Sequence, residues 1–292
     1  MQKSVYSAVL TPFNKDLSID TKLFISHCEF LLNNNISLAP LGTTGEANSI
    51  SILEKIELIK ALARSDLPKE KIIIGTGNTS FVDASFLTKT AIESGICSVL
   101  LLPPFYYKNV SDEGVYQYYK ETISQVKSKK LRIFLYNIPQ VSGVTISIDL
   151  INKLKKEFSD IITGIKDSSG NFENTKKYKE IKNFIVYPGS EKFLYDGLHI
   201  GCSGCISATT NVNIEASKLI NLFNKPEGEL INKKIKAVRD VFEKYPVISS
   251  FDRVARSSCV FDSSCSVSAI WPSSCALSSA SCATLLWLSV SS

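Results

Sequence analysis

Histidine is scarce in this 292-residue chain: only His27 and His199 occur. Cys202-Ser203-Gly204-Cys205 is the one C-x-x-C, and no second ligand pair accompanies it, so no metal site is expected. Basic blocks are absent as well. The net charge of +5 comes from lysines spread over helix-like segments. That distribution reads as a solvated surface and argues against a nucleic-acid partner. The N-terminus carries Lys3 but no long apolar segment and no small-residue cleavage pattern, which argues against a secretory signal. The eight cysteines form no compact framework, which fits reduced thiols and a cytoplasmic chain. A Gly-rich nucleotide turn is also missing: the first apolar run ends in Leu10-Thr11-Pro12-Phe13.

What is present is a regular alternation. Apolar runs at 5–13, 36–41, 71–75, 98–102, 131–136, 161–166, 184–187 and 204–208 read as strands. Helical periodicity follows each, at 21–33, 51–65, 83–94, 111–127, 147–158, 171–181, 191–199 and 213–223. Ser51-x-x-Glu54 has the form of a capping box, Asp83 is the expected cap of its helix, and Gly95 is a stop signal. The strands are continuous apolar runs, the mark of parallel strands covered on both faces. Eight strand-then-helix units predict an α/β fold, a (β/α)₈ TIM barrel, with a doubly wound open sheet as the runner-up. A hydrophobic content of 44% supplies the core. The expected organisation is a catalytic barrel over 1–225, a C-terminal helical segment over 226–250, with 232–242 helical, and an atypical tail over 251–292.

In such a barrel the active site lies at the C-terminal ends of the strands. The unusual residues of this chain fall there: Gly42-Thr43-Thr44-Gly45-Glu46, Tyr106-Tyr107, Tyr136, Lys166 and Gly189-Ser190-Glu191. Lys166 closes the apolar run Ile161-Ile162-Thr163-Gly164-Ile165. An isolated strand-end lysine ordinarily snorkels to solvent. Desolvation, however, favours the neutral amine, and a neutral amine attacks a ketone to form a Schiff base. The Gly42–Gly45 turn offers backbone N–H groups and hydroxyls for a carboxylate, and Tyr136 offers a hydroxyl for proton transfer. Taken singly, the turn is also an ordinary strand-to-loop turn, and Tyr136 an ordinary barrel aromatic.

Taken together, these motifs resemble a known family. Gly42-Thr43-Thr44-Gly45-Glu46, Tyr136-Asn137-Ile138-Pro139 and Gly164-Ile165-Lys166-Asp167-Ser168-Ser169-Gly170 are similar to the pyruvate-dependent class I aldolases and lyases grouped with dihydrodipicolinate synthase and N-acetylneuraminate lyase. Pro188-Gly189-Ser190 and Gly201-Cys202-Ser203-Gly204 fit in order and spacing, and the resemblance covers roughly 4–245. It implies a homotetramer (a dimer of dimers) and a Schiff base between Lys166 and pyruvate or a 2-keto acid, with no cofactor and no membrane. It implies that Thr43 and Thr44 bind the pyruvate carboxylate. Tyr136 becomes the acid/base, linked through the Thr44 hydroxyl to a neighbouring subunit's tyrosine, Tyr106 or Tyr107. The carbonyl near Ile206 lines the pocket. Dihydrodipicolinate synthases resemble the chain but carry an arginine where Val141 stands. Tyr136-Asn137-Ile138-Pro139-Gln140-Val141-Ser142-Gly143 looks more like the sugar-acid lyases. The expected substrate is therefore a hydroxylated 2-keto acid, such as N-acetylneuraminate or 2-keto-3-deoxygluconate, that releases pyruvate. Gly45, Ser142, Asp167, Ser168, Ser190, Glu191 and Ser207 are the candidate substrate contacts. Two alternatives stand beside this. One is 4-hydroxy-tetrahydrodipicolinate synthase, condensing pyruvate with aspartate semialdehyde in lysine biosynthesis. The other is a non-catalytic keto-acid-binding barrel.

The tail is a different kind of sequence. No lysine follows Lys244 and no charged residue follows Asp262, while Ser and Cys dominate, with Cys259, Cys265, Cys275 and Cys282. Three readings are available: a low-complexity, poorly ordered tail, a membrane anchor, or a change of reading frame near Ser250. The apolar run at 283–290 is too short to span a bilayer, and the abrupt loss of Lys and Asn favours the third.

Overall fold

The computed structural model describes residues 3–244. The expectations for 251–292, and for the last residues of 226–250, lie outside the described residues. The chain begins with β1 (Ser4–Ser7), α1 (Thr21–Asn33), β2 (Ser37–Leu38) and α2 (Ile52–Arg64). It continues through β3 (Ile73–Gly75), α3 (Phe81–Glu93), β4 (Ser98–Leu101) and α4 (Asp112–Val126). Next come β5 (Arg132–Asn137), a short α5 (Pro139–Ser142), α6 (Ile148–Glu157), β6 (Ile162–Asp167) and α7 (Phe172–Lys179). The last elements are β7 (Ile185–Pro188), α8 (Leu194–His199), β8 (Gly204–Ser207), α9 (Glu215–Leu222) and α10 (Pro226–Phe242).

Every strand pairing is parallel, in two arcs ordered β2-β1-β8 and β3-β4-β5-β6-β7. Two seams join them. At one, Leu38 bridges Ile72 and the Gly75 N–H donates to the Pro40 carbonyl at 2.8 Å. At the other, the Ser203 N–H donates to the Val186 carbonyl at 3.2 Å. The ring thus closes in sequence order, and the fold is the expected (β/α)₈ barrel.

Alternation along the strands sorts side chains between two cores. Tyr6, Ile73, Leu100, Phe134, Tyr136, Tyr187 and Ile206 fill the interior of the barrel. Their neighbours Ile72, Ile74, Val99, Leu101, Ile133, Leu135, Ile165 and Val186 point outward and pack under the helices. Both faces of each strand are buried, which is why the sequence shows apolar runs instead of alternation. Gly164 is required where it stands. A Cβ there would lie 2.3 Å from the Ile185 carbonyl oxygen on the adjacent β7.

Local signals explain most element boundaries. Ser51 and Glu54 form the expected capping box, with the Ser51 N–H donating to the Glu54 carboxylate at 2.9 Å. At α3 the cap is Ser80, not Asp83. The Ser80 hydroxyl accepts from the Asp83 N–H, so Asp83 sits inside the first turn, where its charge suits the helix dipole. The first two strands are shorter than the apolar runs that signalled them. After Ser7 the chain still bonds both neighbours, through Ala8 to Ser207 and Val9 to Ala39, before it turns at Pro12. Leu41 takes a left-handed conformation (φ 56°) and ends the second run. Pro139 opens α5, a short helix not among the expected elements, and Pro226 opens α10 earlier than the expected 232, because proline suits a first helical position where no N–H is needed.

Candidate functional site

The register of β5, β6 and β7 builds the site. Lys166 pairs with Tyr136 on one side and Tyr187 on the other, so it shares their inward direction. It is only 4% exposed, at the C-terminal end of the barrel interior. Its Nζ donates to the Tyr136 hydroxyl at 3.2 Å. The same hydroxyl lies 3.3 Å from Thr43 Oγ1, in the turn after β2. Three sequence-distant motifs therefore meet at one oxygen. Burial alone would raise the Tyr136 hydroxyl. The Lys166 charge and side-chain hydrogen bonds with Thr43, Lys166 and Ser168 outweigh it, and the group lies below the ordinary tyrosine value. A tyrosine so placed gives up its proton more readily than one in water.

A small pocket opens beside this oxygen, lined by Gly42, Thr43, Asn48, Gly77, Leu100 and Tyr136 among others. Among the described residues, no protein acceptor takes the N–H groups of Thr43 or Thr44. Loop N–H groups without partners form a cradle for an anion. Gly45 belongs to the same turn for a steric reason: a Cβ there would lie 2.6 Å from the Val9 carbonyl oxygen. Its own carbonyl accepts from the Thr11 hydroxyl at 2.8 Å.

Several candidate residues fall elsewhere. The hydroxyl in contact with Tyr136 belongs to Thr43, not Thr44. Thr44 is buried and makes no hydrogen bond to Tyr136. Asp167 points outward, because its neighbour Lys166 points in. Its carboxylate is occupied by Asn137 Nδ2 (3.0 Å), the Thr175 hydroxyl (2.8 Å) and the Ser169 N–H (3.1 Å). It shapes the turn after Lys166 and leaves no oxygen for a substrate. Ser142 is occupied too: its hydroxyl donates within α5 and its loop, to the Ile138 and Val144 carbonyls. Ser190 caps the turn after β7 by accepting from the Lys192 N–H. Ile206 lines the barrel interior, and Ser207 ends β8 with its hydroxyl donating to Glu191. Glu191 is fully buried. Tyr106 and Tyr107 stack edge to face at 5.2 Å and stay exposed, at 71% and 76%.

Sequence reasoning missed three contributors. Asn137 holds Asp167, Gln140 Nε2 donates to the Ser168 carbonyl at 2.7 Å, and Arg239 of α10 lies beside Glu191. The first two stand within or next to the Tyr-Asn-Ile-Pro motif, which was the available signal. Arg239 carried none. The described cysteines Cys28, Cys97, Cys202 and Cys205 are free thiols, and burial raises Cys202 and Cys205. No cluster of metal-ligating residues occurs among the described residues, and none of their helices is long and apolar enough to cross a membrane.

A parallel barrel with a buried lysine, a tyrosine hydroxyl and an anion cradle at its C-terminal mouth is the equipment of a carbonyl-condensing or carbonyl-cleaving enzyme. The chain belongs to the dihydrodipicolinate synthetase family, whose model matches residues 1–257. A 4-hydroxy-tetrahydrodipicolinate synthase from Methanococcoides burtonii is 32% identical over 231 residues, covering 77% of this chain and 76% of that protein. The crystal structure of dihydrodipicolinate synthase from Agrobacterium tumefaciens superposes with a TM-score of 0.80 at 29% identity, covering 91% of this chain and 92% of that one. A 2-keto-3-deoxygluconate aldolase from Picrophilus torridus gives 0.79 at 27%, covering 86% and 91%. The family consists of pyruvate-dependent lyases and aldolases that work through a lysine Schiff base, and the chain is an enzyme of that class.

Proposed function

We propose that this protein is an aldolase that cleaves a hydroxylated 2-keto acid to pyruvate and an aldehyde, or joins the two, through a Schiff base on Lys166. The observation that carries the substrate class is Val141. The resemblance to dihydrodipicolinate synthases implies an arginine there, gripping a substrate carboxylate. Here a valine side chain, 53% exposed, stands on α5, and it has no donor to offer. Similarity to a 2-keto-3-deoxygluconate aldolase supports the same reading.

In this scheme the free N–H groups of Thr43 and Thr44 hold the keto-acid carboxylate. The Lys166 amine attacks the C2 carbonyl, and loss of water leaves an iminium. The bond between C3 and C4 then breaks as the C4 hydroxyl loses its proton to Tyr136. Its electron pair passes to the iminium, giving an enamine and a free aldehyde. Tyr136 returns the proton to C3, and water releases pyruvate and regenerates the amine. Glu191, Ser168, Ser190 and Ser207 read substrate hydroxyls. The working form is a cytoplasmic homotetramer, in which the exposed Tyr107, or Tyr106, reaches the neighbouring subunit's site. Free thiols support the compartment and exposure of both rings supports the assembly.

The test is trapping followed by a substrate comparison. Pyruvate and borohydride should leave a reduced pyruvyl adduct on the Lys166 peptide. The enzyme should then release pyruvate from N-acetylneuraminate or 2-keto-3-deoxygluconate. Robust condensation of pyruvate with aspartate semialdehyde would overturn the substrate class in favour of the synthase activity that several relatives' names carry. No adduct on folded protein would point to a non-catalytic keto-acid-binding barrel.

A further inference from the structure

α10 lies outside the barrel, yet one of its side chains reaches the mouth. Arg239 is only 15% exposed. Its Nη1 donates to the Thr209 hydroxyl at 2.9 Å, in the turn after β8, and lies 3.7 Å from Glu191 Oε2. Its Nε donates to Glu243 at 3.0 Å. Glu191 Oε2 also accepts from the Ser207 hydroxyl, while Glu191 Oε1, equally buried, has no donor. A carboxylate taken out of water requires a cation and a full set of donors. Arg239 is the one cation within 4.0 Å of Glu191 among the described residues. Glu191 and Lys166 also share a neighbour. The Cys205 thiol is raised first by burial and then by the Glu191 charge, and the charges of Lys166 and Arg239 pull it back. The outer helix, the turn after β7, the end of β8 and the lysine thus form one electrostatic neighbourhood.

We infer that Arg239 is a positioning residue for the second substrate: it holds Glu191 and Ser207 so that the donorless Glu191 Oε1 accepts a hydroxyl of a polyhydroxylated aldehyde. This rests on the reading of Glu191 as a hydroxyl contact given above. The pyruvate end of the site, built from Thr43, Tyr136 and Lys166 on other elements, is independent of it. Grip on the aldehyde therefore depends on a helix that contributes nothing to Schiff-base formation.

The experiment measures KM for pyruvate and for glyceraldehyde in the condensation direction, with borohydride trapping alongside. Arg239→Met should raise the glyceraldehyde KM about tenfold, the order of one lost charge-assisted hydrogen bond. The pyruvate KM and the Lys166 adduct should stay near wild type. Arg239→Lys, which keeps the charge, should recover most of the loss. In a Glu191→Gln background, adding Arg239→Met should change the glyceraldehyde KM little, because the two residues act through one contact. Lys236→Met cuts the 3.6 Å pair between α10 and Asp196 without reaching the mouth, and should leave both KM values unchanged. The inference fails if Arg239→Met leaves the glyceraldehyde KM unchanged, or raises the pyruvate KM in parallel. It fails equally if the penalty persists in the Glu191→Gln background, or if Lys236→Met reproduces it. Should Arg239→Met not fold, Arg239→Gln keeps a donor for Thr209 and carries the same comparison. Failure of wild-type protein to form the adduct would refute the Schiff-base assignment itself, a separate outcome.

Discussion

Replacing Tyr136 with phenylalanine removes one oxygen and keeps the ring. That oxygen lies 3.2 Å from Lys166 Nζ and 3.3 Å from the Thr43 hydroxyl. Two consequences of different size follow. Lys166 loses its hydrogen-bond partner inside the barrel, and leaving a buried polar group unpaired costs about 1–3 kcal/mol of stability. Catalysis loses a positioned proton carrier, a term of about 10²–10⁴ in rate, or about 3–5 kcal/mol of barrier. The ring stays, so no large cavity confuses the comparison. Thermal unfolding reads the first effect and steady-state cleavage of 2-keto-3-deoxygluconate the second, with borohydride trapping to show that Lys166 still reaches pyruvate. The expected variant is folded, forms the adduct, and turns over about a hundredfold or more slowly. The pH profile carries an independent mark. In cleavage Tyr136 must accept the C4 hydroxyl proton, so it works only while deprotonated, and activity should fall as pH drops through its value. That value lies below the ordinary tyrosine range, first because the Lys166 charge and then because the hydrogen bonds outweigh the raising effect of burial. The acid limb should disappear in the variant's residual activity. A folded Tyr136→Phe enzyme within about fivefold of wild type would refute the proton-transfer role, since general acid–base catalysis is worth far more than that.

Gly164→Ala places a methyl 2.3 Å from a backbone oxygen of β7. The strands must separate just before Lys166, so stability should fall by about 1–3 kcal/mol and the lysine should shift; an unchanged melting temperature would show that the barrel yields there freely. His27 makes the fold acid-sensitive. Burial, partly offset by its 2.9 Å contact with Asn211, lowers it from 6.5 to about 4. Above 6.5 both states are neutral and pH has no effect through this residue. Below it the unfolded chain binds a proton that the folded chain refuses, so stability drops as pH falls, by about 2 kcal/mol at pH ~5. Urea unfolding of wild type and His27→Gln at neutral and acid pH should show a steeper acid loss in the wild type. Parallel curves would remove His27 as the cause.

Most of the barrel was legible because its physics is local. A parallel strand buried on both faces must be a continuous apolar run, and helices that cover it must show a 3.6-residue stripe. The capping box is read off Ser51 and Glu54, three positions apart. Failures came where a local signal had a near-equal competitor. Both Ser80 and Asp83 suit a cap, and the backbone decides: Ser80 is extended (φ −85°, ψ 121°) while Asp83 is already helical. Prolines at 139 and 226 look like breakers in a linear reading, yet the same ring starts a helix.

For the site, direction was harder to read than position. Lys166, Asp167 and Ser168 are adjacent and equally polar, so sequence offers all three to a substrate. The strand pleat separates them: Lys166 shares the inward face with Tyr136, while Asp167 turns out and spends its oxygens on Asn137, Thr175 and Ser169. Thr43 and Thr44 are likewise adjacent, and one residue's difference decides which hydroxyl meets Tyr136. Parity could have been applied to β6 in advance, since Ile165 belongs to the outer core. The turn after β2 has no pleat to extrapolate, and only its folded geometry orders the two threonines. Arg239 lies still further from any such rule. It approaches Glu191 from an element 48 residues downstream by chain numbering, through tertiary packing alone. Short-range chemistry therefore writes the pyruvate end of the site into contiguous motifs. The end that meets the second substrate draws on the turn after β7, the end of β8 and α10 together. Members of one family can keep the first fixed while the second changes.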